Sequence, residues 1–239
     1  MKILVTNDDG LFAEGIELLT KKLIPYASEI LVVAPNTEMS ATSHKLTLRT
    51  PLKVKKERSI VENVLCYSVE GTPADCVKVA INGLDFMPDI IFSGINNGYN
   101  IGNDIIYSGT VAAVSEGAFY NIKGVAVSCE YGCFDGVKYL DNVLNYLFNS
   151  DIYINAKIIN INIPKEPLGI KITRQGAFPF ETRYELEEDG LYHIKTKSIG
   201  FLVENNIHSD VYAIKNNYVS ISPLTVDRTD ILLFEKLKK

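Results

Sequence analysis

The sequence predicts an α/β fold, an open and mostly parallel sheet with helices on both faces. Short runs rich in β-branched residues alternate with stretches of helical period along the first two-thirds of the chain. Some strand-like runs are continuously apolar, such as ILVVA at residues 30–34, which is typical of parallel strands buried on both faces. Polar loops follow three of these runs, as in open sheets that bind ligands at their carboxyl edge. We therefore expect a Rossmann-like architecture.

The amino-terminal part of the chain predicts a strand–helix–strand unit. Residues 2–6 form a short β-rich run, and the turn signal NDDG follows at residues 7–10. Apolar residues recur with helical spacing over residues 14–26, and residues 30–34 predict the second strand. A continuously apolar strand after a helix indicates a parallel βαβ unit.

The same alternation continues through the middle of the chain. Thr72 and Pro73 are residue types that favour the cap and the first position of a helix. The further predicted elements are a helix over residues 72–83, a strand over 89–93, a helix over 108–120, a strand over 124–129, a helix over 134–149 and a strand over 157–163.

The remaining residues are richer in short strand-like runs. The expected elements are antiparallel strands at 169–175 and 192–197 around an acidic turn at 185–190, a short helix at 207–214 and a strand at 218–221. We predict a single domain, 1–239, with an α/β core at 1–165 that carries the active site and a β-rich arm and tail at 166–239. Such an arm often makes subunit contacts, although the same pattern fits an antiparallel edge of the main sheet.

Composition and charge exclude several classes of protein. Of the 239 residues, 46% are hydrophobic and 22% charged, which excludes intrinsic disorder. No apolar run approaches the ~18 residues of a membrane-spanning helix. The net charge of −5 disfavours a nucleic acid polymer as partner. Four cysteines without zinc-ligand spacing are typical of buried free thiols in a reducing, cytoplasmic compartment.

Two adjacent carboxylates, Asp8 and Asp9, follow the first predicted strand. Side by side in a buried turn they would repel each other, and a hard divalent cation such as Mg²⁺ or Mn²⁺ would offset that repulsion. The alternative is a turn in which one of them caps the next helix. This region lacks the G-x-G-x-x-G dinucleotide fingerprint, and the chain lacks a Walker A motif.

Two more loops follow predicted strands. Residues 35–45 offer several hydroxyl groups and a histidine, although a plain surface loop has the same composition. The loop at residues 93–104 is dense in Gly and Asn, which is typical of functional loops. Asn96 stands just past the predicted strand end, where its carbonyl would face the same crevice as Asp8.

The residues Ser108, Gly109 and Thr110 begin a predicted helix. A helix N-terminus offers free N–H groups and the positive end of the helix dipole, so this segment suits a phosphate group. The alternative is that Ser108 is an ordinary helix cap.

Together these segments resemble the SurE family (survival protein E), metal-dependent nucleoside monophosphate phosphatases. The family opens with a strand that leads into NDDG, here ILVTNDDG at residues 3–10. Its further motifs AP-x-x-x-x-S-G, GTPADCV, SGIN-x-G-x-N-x-G-x-D, YSGTV and SPL-x-x-D correspond to residues 34–41, 71–77, 93–104, 107–111 and 222–227. Several long motifs in the same order are not expected by chance. Residues 165–215 carry little of the resemblance.

The resemblance implies one Mg²⁺ or Mn²⁺ ion per subunit, with the ligands Asp8, Asp9, Ser40 and Asn96. Of these, Ser40 is indicated by the resemblance alone. Ala41 stands where the family commonly has Gly, which would alter the backbone beside Ser40 because Ala tolerates a positive φ less well. Asn97 stands where the family often has His, which removes a proton donor or a phosphate contact. Neither change removes a ligand, so we expect activity to be retained.

The sequence therefore predicts an enzyme, a 5′-nucleotidase that converts nucleoside 5′-monophosphates to nucleoside and phosphate. The resemblance extends the expected substrates to 3′-monophosphates and short polyphosphate, and implies a homodimer or homotetramer. In this hypothesis Asp8, Asp9 and Asn96 are catalytic, one of the aspartates being the nearest general base, and residues 108–110 bind phosphate. Two alternatives stay open. One is an aspartate-nucleophile phosphatase of the haloacid dehalogenase type, although that class needs D-x-D; the other is a non-catalytic nucleotide- or metal-binding regulator.

Overall fold

The computed structural model describes residues 1–177, 180–198 and 205–238. The strands are β1 (Lys2–Thr6), β2 (Glu29–Pro35), β3 (Val54–Glu57), β4 (Leu65–Val69), β5 (Ile90–Asn97), β6 (Lys123–Cys129), β7 (Ile158–Ile163), β8 (Ile170–Ile172), β9 (Phe180–Leu186), β10 (Tyr192–Ser198) and β11 (Val219–Leu224). The α-helices are α1 (Glu14–Leu23), α2 (Pro73–Lys78), α3 (Gly109–Phe119), α4 (Leu140–Phe148), α5 (Asp151–Asn155), α6 (Asp210–Lys215) and α7 (Ile231–Leu237).

A nine-stranded sheet has the strand order β3-β4-β2-β1-β5-β6-β7-β11-β8. The strands from β4 to β7 in this order are all parallel to their neighbours. At the two sides of this parallel block, β3 is antiparallel to β4 and β11 is antiparallel to β7. The predicted α/β class is confirmed, and the parallel strands bring the loops after β1, β2, β5 and β6 to one edge.

Hydrophobic side chains cover both faces of the sheet. Along β1, Ile3 and Val5 belong to one core cluster and Leu4 to the other, as the two-residue period of a strand requires. The first cluster packs against α1 and α4, and the second against α2 and α3. Burial on both faces explains why these strands are continuously apolar rather than alternating.

A capping box begins α2 at the predicted position. The Thr72 hydroxyl oxygen accepts the Asp75 N–H at 3.2 Å, and the Asp75 carboxylate accepts the Thr72 N–H at 3.0 Å. The two side chains thereby satisfy N–H groups that the first helical turn leaves free.

Several predicted boundaries differ from the structure. The helix expected over 72–83 is α-helical only to Lys78 and continues as a π-helical turn at Val79–Gly83. The helix expected over 14–26 becomes α1 and a 3₁₀ turn at Ile24–Tyr26, where a proline interrupts the α-helical pattern. The helix expected over 134–149 begins as a 3₁₀ turn before α4. The strand expected at 89–93 continues to Asn97, so Asn96 lies within β5 rather than beyond its end.

One predicted pairing in the carboxyl-terminal third is wrong. The segment 169–175 contains β8, which pairs in parallel with β11 and not with residues 192–197. The antiparallel partner of β10 is β9, across the predicted acidic turn. The sequence of β9, FETRYEL, alternates apolar or aromatic residues with charged ones, so a strand signal was present there and the prediction overlooked it. The predicted helix and the strand after it are present as α6 and β11.

Within the described ranges, no helix is both long enough and apolar enough to cross a membrane.

Candidate active site

A closed turn after β1 presents the two aspartates. The buried side chain of Asn7 donates to the Gly10 carbonyl at 2.9 Å and accepts the Gly10 N–H at 3.2 Å. These two hydrogen bonds fix the backbone between Asn7 and Gly10. Asp8 and Asp9, which lie in this turn, both line the cleft at the carboxyl edge of the sheet. Asn7 therefore shapes the site without facing its ligand.

The start of α3 holds Asp8. The Thr110 hydroxyl donates to Asp8 Oδ1 at 2.5 Å, and the Thr110 backbone N–H also bonds this carboxylate. Burial raises the pKa of Asp8 above its ordinary value, whereas these hydrogen bonds favour the charged form and oppose the rise. Gly109 permits this approach, because a β-carbon there would lie 2.9 Å from Asp8 Cβ and 3.0 Å from Asp8 Oδ2.

The second aspartate, Asp9, has an oxygen atom without a partner. Its Oδ2 is buried and accepts no hydrogen bond within the described part of the chain. Burial and the neighbouring charge of Asp8 raise the pKa of Asp9 to about 6, against the opposing effect of the Asn97 N–H. A cation beside these two carboxylates would remove both the repulsion and the unsatisfied oxygen.

The side chains of Ser40 and Asn96 line the same cleft. The Ser40 hydroxyl donates to Glu38 Oε1 at 2.6 Å. Asn96 Nδ2 donates to the Gly98 carbonyl at 2.7 Å, which leaves Asn96 Oδ1 as an oxygen ligand. All four predicted metal ligands therefore meet at one cleft of about 740 Å³.

At the start of α3, the residues predicted to bind phosphate have different contacts. Ser108 lines the cleft, and its oxygen accepts the Val111 N–H at 3.1 Å, so its own proton remains available to a ligand. Thr110 is fully buried and directs its hydroxyl at Asp8. Its observed contact is thus with a candidate metal ligand, and it orients Asp8. Gly109, which has no side chain, leaves the space that the Asp8 side chain occupies.

The cleft also contains acidic residues that the sequence analysis did not single out. Glu38 precedes Ser40 by two residues, and its charge raises the pKa of both Asp8 and Asp9. Asp104 lines the cleft, and burial raises the pKa of its carboxyl to about 6. Its position as the last residue of the Gly- and Asn-rich loop was an available signal.

Both departures from the family pattern have visible consequences. Ala41 has a φ of 53°, in the left-handed region that a glycine adopts more readily. Asn97 Oδ1 accepts the Gly132 N–H at 2.7 Å, so this side chain ties the end of β5 to the loop after β6.

The donor set fits a hard divalent cation. Carboxylate, hydroxyl and amide oxygens are the ligands that Mg²⁺ and Mn²⁺ favour, and Mg²⁺ commonly binds one or two carboxylates together with water and substrate phosphate. Within the described ranges, His, Cys, Asp and Glu side chains form no metal-binding group of three or more. A larger cavity of about 810 Å³ also contains Ser108 but contains neither Asp8 nor Asp9. We therefore locate the candidate metal site by its oxygen ligands and not by the size of the cavity.

The fold and the site define a class of protein, one that uses a metal ion to act on phosphate-bearing ligands. The features that define it are an open α/β sheet and, at its carboxyl edge, paired carboxylates, an amide oxygen and a helix N-terminus. The profile of the family described as Survival protein SurE matches residues 3–182. This chain belongs to the SurE family.

Relatives match over the full length. A 5′-nucleotidase SurE from Alkaliphilus metalliredigens is 40% identical over 251 residues, covering 100% of this chain and 98% of the relative. The 5′-nucleotidase SurE of Natranaerobius thermophilus is 38% identical, covering 99% and 97%. The crystal structure of the SurE protein from Aquifex aeolicus superposes with a TM-score of 0.81 at 33% identity, covering 100% and 98%. The fold and the family therefore extend over the whole chain.

Proposed function

We propose that this protein is a metal-dependent 5′-nucleotidase, which hydrolyses nucleoside 5′-monophosphates to nucleoside and inorganic phosphate. The observation that carries the proposal is the buried Asp9 Oδ2 beside Asp8, which has no hydrogen-bond partner among the residues that the structure describes and lies in a cleft that also contains Asn96. Full-length similarity to proteins named 5′-nucleotidase SurE supports the same activity. We extend the proposal to 3′-monophosphates, which carry the same phosphate monoester, and to short polyphosphate, which shares only the terminal phosphoryl group.

The proposed cofactor is one Mg²⁺ or Mn²⁺ ion per chain, with the ligands Asp8, Asp9, Ser40 and Asn96. When bound, such an ion supplies positive charge for the phosphate oxygens and acidifies water. Thr110 keeps Asp8 in place through its hydroxyl, and the Gly98 carbonyl keeps the Asn96 amide oriented so that its oxygen faces the cleft. Hydrogen bonds of this kind, from residues that do not bind the metal themselves, determine how the metal-ligand side chains are oriented.

Phosphate transfer to water depends mainly on positioning and electrostatics, so no protein nucleophile is needed. In our proposal the Ser108 hydroxyl donates a hydrogen bond to a phosphate oxygen, and the N-terminus of α3 adds a favourable field. In the same proposal Asp9 is the nearest acceptor for the proton of the attacking water, through the carboxylate oxygen that does not hold the ion. Each of these groups lines the same cleft.

The test is phosphate release from a panel of 5′- and 3′-nucleoside monophosphates, each assayed with EDTA, Mg²⁺ and Mn²⁺. We expect release that requires metal and falls by at least about 100-fold in Asp9→Asn, since both a metal ligand and a proton acceptor are lost. Asp141→Asn, an exposed carboxylate on α4, is the matched control and should retain wild-type turnover. Near-wild-type turnover of Asp9→Asn, or release unaffected by EDTA, would contradict the proposal. Nucleotide binding without any release would instead indicate a regulator.

We further propose a cytoplasmic location and a single domain over residues 1–239. The four cysteines are free thiols, and Cys66, Cys76 and Cys129 are buried, which suits a reducing compartment. Strands β8 and β11, from the predicted arm, extend the central sheet, which supports treating the arm and the core as one domain.

A further inference from the structure

An exposed tyrosine stands at the edge of the candidate active site. Tyr131, in the loop after β6, lines the same cleft as Asp8, Asp9 and Asn96, and 81% of its surface is exposed. Large aromatic side chains dominate binding energetics when they become buried, so an exposed ring in a polar cleft is a candidate ligand contact.

The loop that carries Tyr131 is a defined turn. The Cys133 N–H donates to the Glu130 carbonyl at 3.1 Å, and Gly132 has a φ of 71°. A positive φ at the third residue is the pattern of a type II turn, which glycine favours there. Tyr131 is therefore the second residue of a tight turn, where its side chain projects away from the backbone.

Two contacts bring this turn close to the metal ligands. Asn97 Oδ1 accepts the Gly132 N–H at 2.7 Å and so joins the turn to the end of β5. A β-carbon at Gly98 would lie 3.8 Å from Tyr131 Cδ2 and 3.9 Å from Asn96 Nδ2, so the ring and the Asn96 side chain flank the same residue. Tyr131 is thus held beside the proposed metal ligand Asn96.

Other aromatic residues of the cleft already have packing roles. Tyr99 packs against the small cluster of Ile101, Val211 and Ile214, and Phe134 packs against the larger core cluster. Tyr107, which precedes Ser108, is 53% exposed and remains the second free ring. Tyr131 and Tyr107 are therefore the cleft tyrosines whose rings are mainly exposed.

We propose that Tyr131 is the stacking platform for the nucleobase, a specificity-determining residue that selects nucleotides over phosphate esters without a base. This inference rests on the proposed nucleotidase function. Stacking uses the face of any base, so it predicts broad acceptance of purine and pyrimidine nucleotides. Asn97, at the position where the family often has His, acts as a positioning residue for the platform.

The test compares a substrate with a base and one without it. The substrates are AMP and ribose 5-phosphate, with Mn²⁺ present, assayed with wild type, Tyr131→Ala and Tyr131→Phe. In Tyr131→Ala we expect kcat/KM for AMP to fall by about 10-fold, mainly through KM, because base–aromatic stacking commonly contributes this much. Hydrolysis of ribose 5-phosphate should be unchanged, and Tyr131→Phe should behave as wild type. Equal losses for both substrates, or no loss for AMP, would overturn the proposal.

A binding measurement separates this proposal from the nucleotidase function itself. Adenosine carries no phosphate ester, so its calorimetric affinity does not depend on catalysis. We expect adenosine to bind wild type and Tyr131→Phe about 10-fold more tightly than Tyr131→Ala. Equal affinity for all three proteins would reject the platform even if AMP is hydrolysed. Absence of phosphate release from every substrate would reject the nucleotidase function and leave the adenosine result to decide the platform.

Discussion

At the residue scale, Ala41 shows how a single side chain changes the backbone beside a candidate ligand. Its φ of 53° lies in the left-handed region, next to Ser40. For a residue with a β-carbon this conformation costs roughly 1–2 kcal/mol, whereas glycine adopts it freely. The chain therefore tolerates local strain one residue from its proposed metal site.

The substitution Ala41→Gly should stabilise the protein slightly. Relief of the left-handed strain exceeds the added flexibility of glycine in the unfolded chain, so we expect a gain of about 0.5 kcal/mol in the free energy of unfolding. Urea denaturation in EDTA measures it. The control is Ala27→Gly, at a φ of −102°, which relieves no strain and should lose about 0.5–1 kcal/mol. Equal losses in both variants would show that Ala41 is unstrained in solution.

The carboxyl of Asp104 predicts a dependence of stability on pH. Burial raises its pKa from 3.8 to about 6, so its ionised form is less favourable in the folded chain than in the unfolded chain. The contribution of Asp104 to stability is greatest below pH 4 and is lost as the pH rises through 6.

Asp104→Asn should therefore stabilise the metal-free protein at pH 8 and leave its stability at pH 4 nearly unchanged. Since this carboxyl is only half-buried, solvent screening reduces the expected gain to about 1 kcal/mol. Thermal unfolding at the two pH values in EDTA measures the difference. Asp141→Asn, on an exposed carboxylate, should bring no gain at pH 8. A gain of equal size at pH 4 would refute the electrostatic explanation.

At the scale of elements, the site depends on the contact between the turn after β1 and the first turn of α3. Thr110 bonds Asp8, and Gly109 leaves the space that this contact needs. A helix that begins at a catalytic edge thus contributes both its dipole and the orientation of a metal ligand.

Gly109→Ala should displace Asp8 while preserving the fold. The added carbon would lie 2.9 Å from Asp8 Cβ, so we expect Mn²⁺ affinity to fall by roughly 10-fold or more, as when a supporting contact of a metal ligand is lost. Calorimetric titration with Mn²⁺ measures the affinity, and circular dichroism checks the fold. Gly83→Ala is the control, because among the described residues its new carbon comes within 4 Å of Val79 Cγ1 alone, at 3.9 Å. Unchanged Mn²⁺ affinity in Gly109→Ala would show that Asp8 does not need this space.

At the scale of the whole molecule, β9 and β10 form a ribbon separate from the main sheet. On one of its faces Tyr184 lies opposite Ile194, and Leu186 lies opposite Tyr192, all of them exposed. A two-stranded ribbon alone is marginally stable in water, and exposed apolar faces mark interaction surfaces. We propose that this face packs against a second copy of the chain in a homodimer or homotetramer.

Replacing both Tyr184 and Ile194 by Lys should yield a monomer. Charges introduced at an apolar contact are costly to bury, so light scattering after size-exclusion chromatography should show the mass of one chain, 26.6 kDa. Glu185→Lys, on the opposite face of the ribbon, should keep the wild-type mass. A variant that remains oligomeric would place the interface elsewhere.

The sequence by itself determined the α/β class, the order of the core elements and the position of Asp8 and Asp9 directly after the first strand, whereas Asn96 lies within β5 and not past a strand end. These features depend on the period of apolar residues and on local caps, which neighbours in the chain set. Ser40 required the family resemblance, because a hydroxyl in a polar loop has no distinctive pattern.

Only the tertiary structure decided which distant segments meet. The pairing of β8 with β11, the contact of Thr110 with Asp8 and the approach of Tyr131 to Asn96 all join residues far apart in the chain. Such contacts depend on how the sheet and helices pack, and a local pattern of residues does not encode them. For the same reason the burial that raises the pKa of Asp104 was not visible in the sequence.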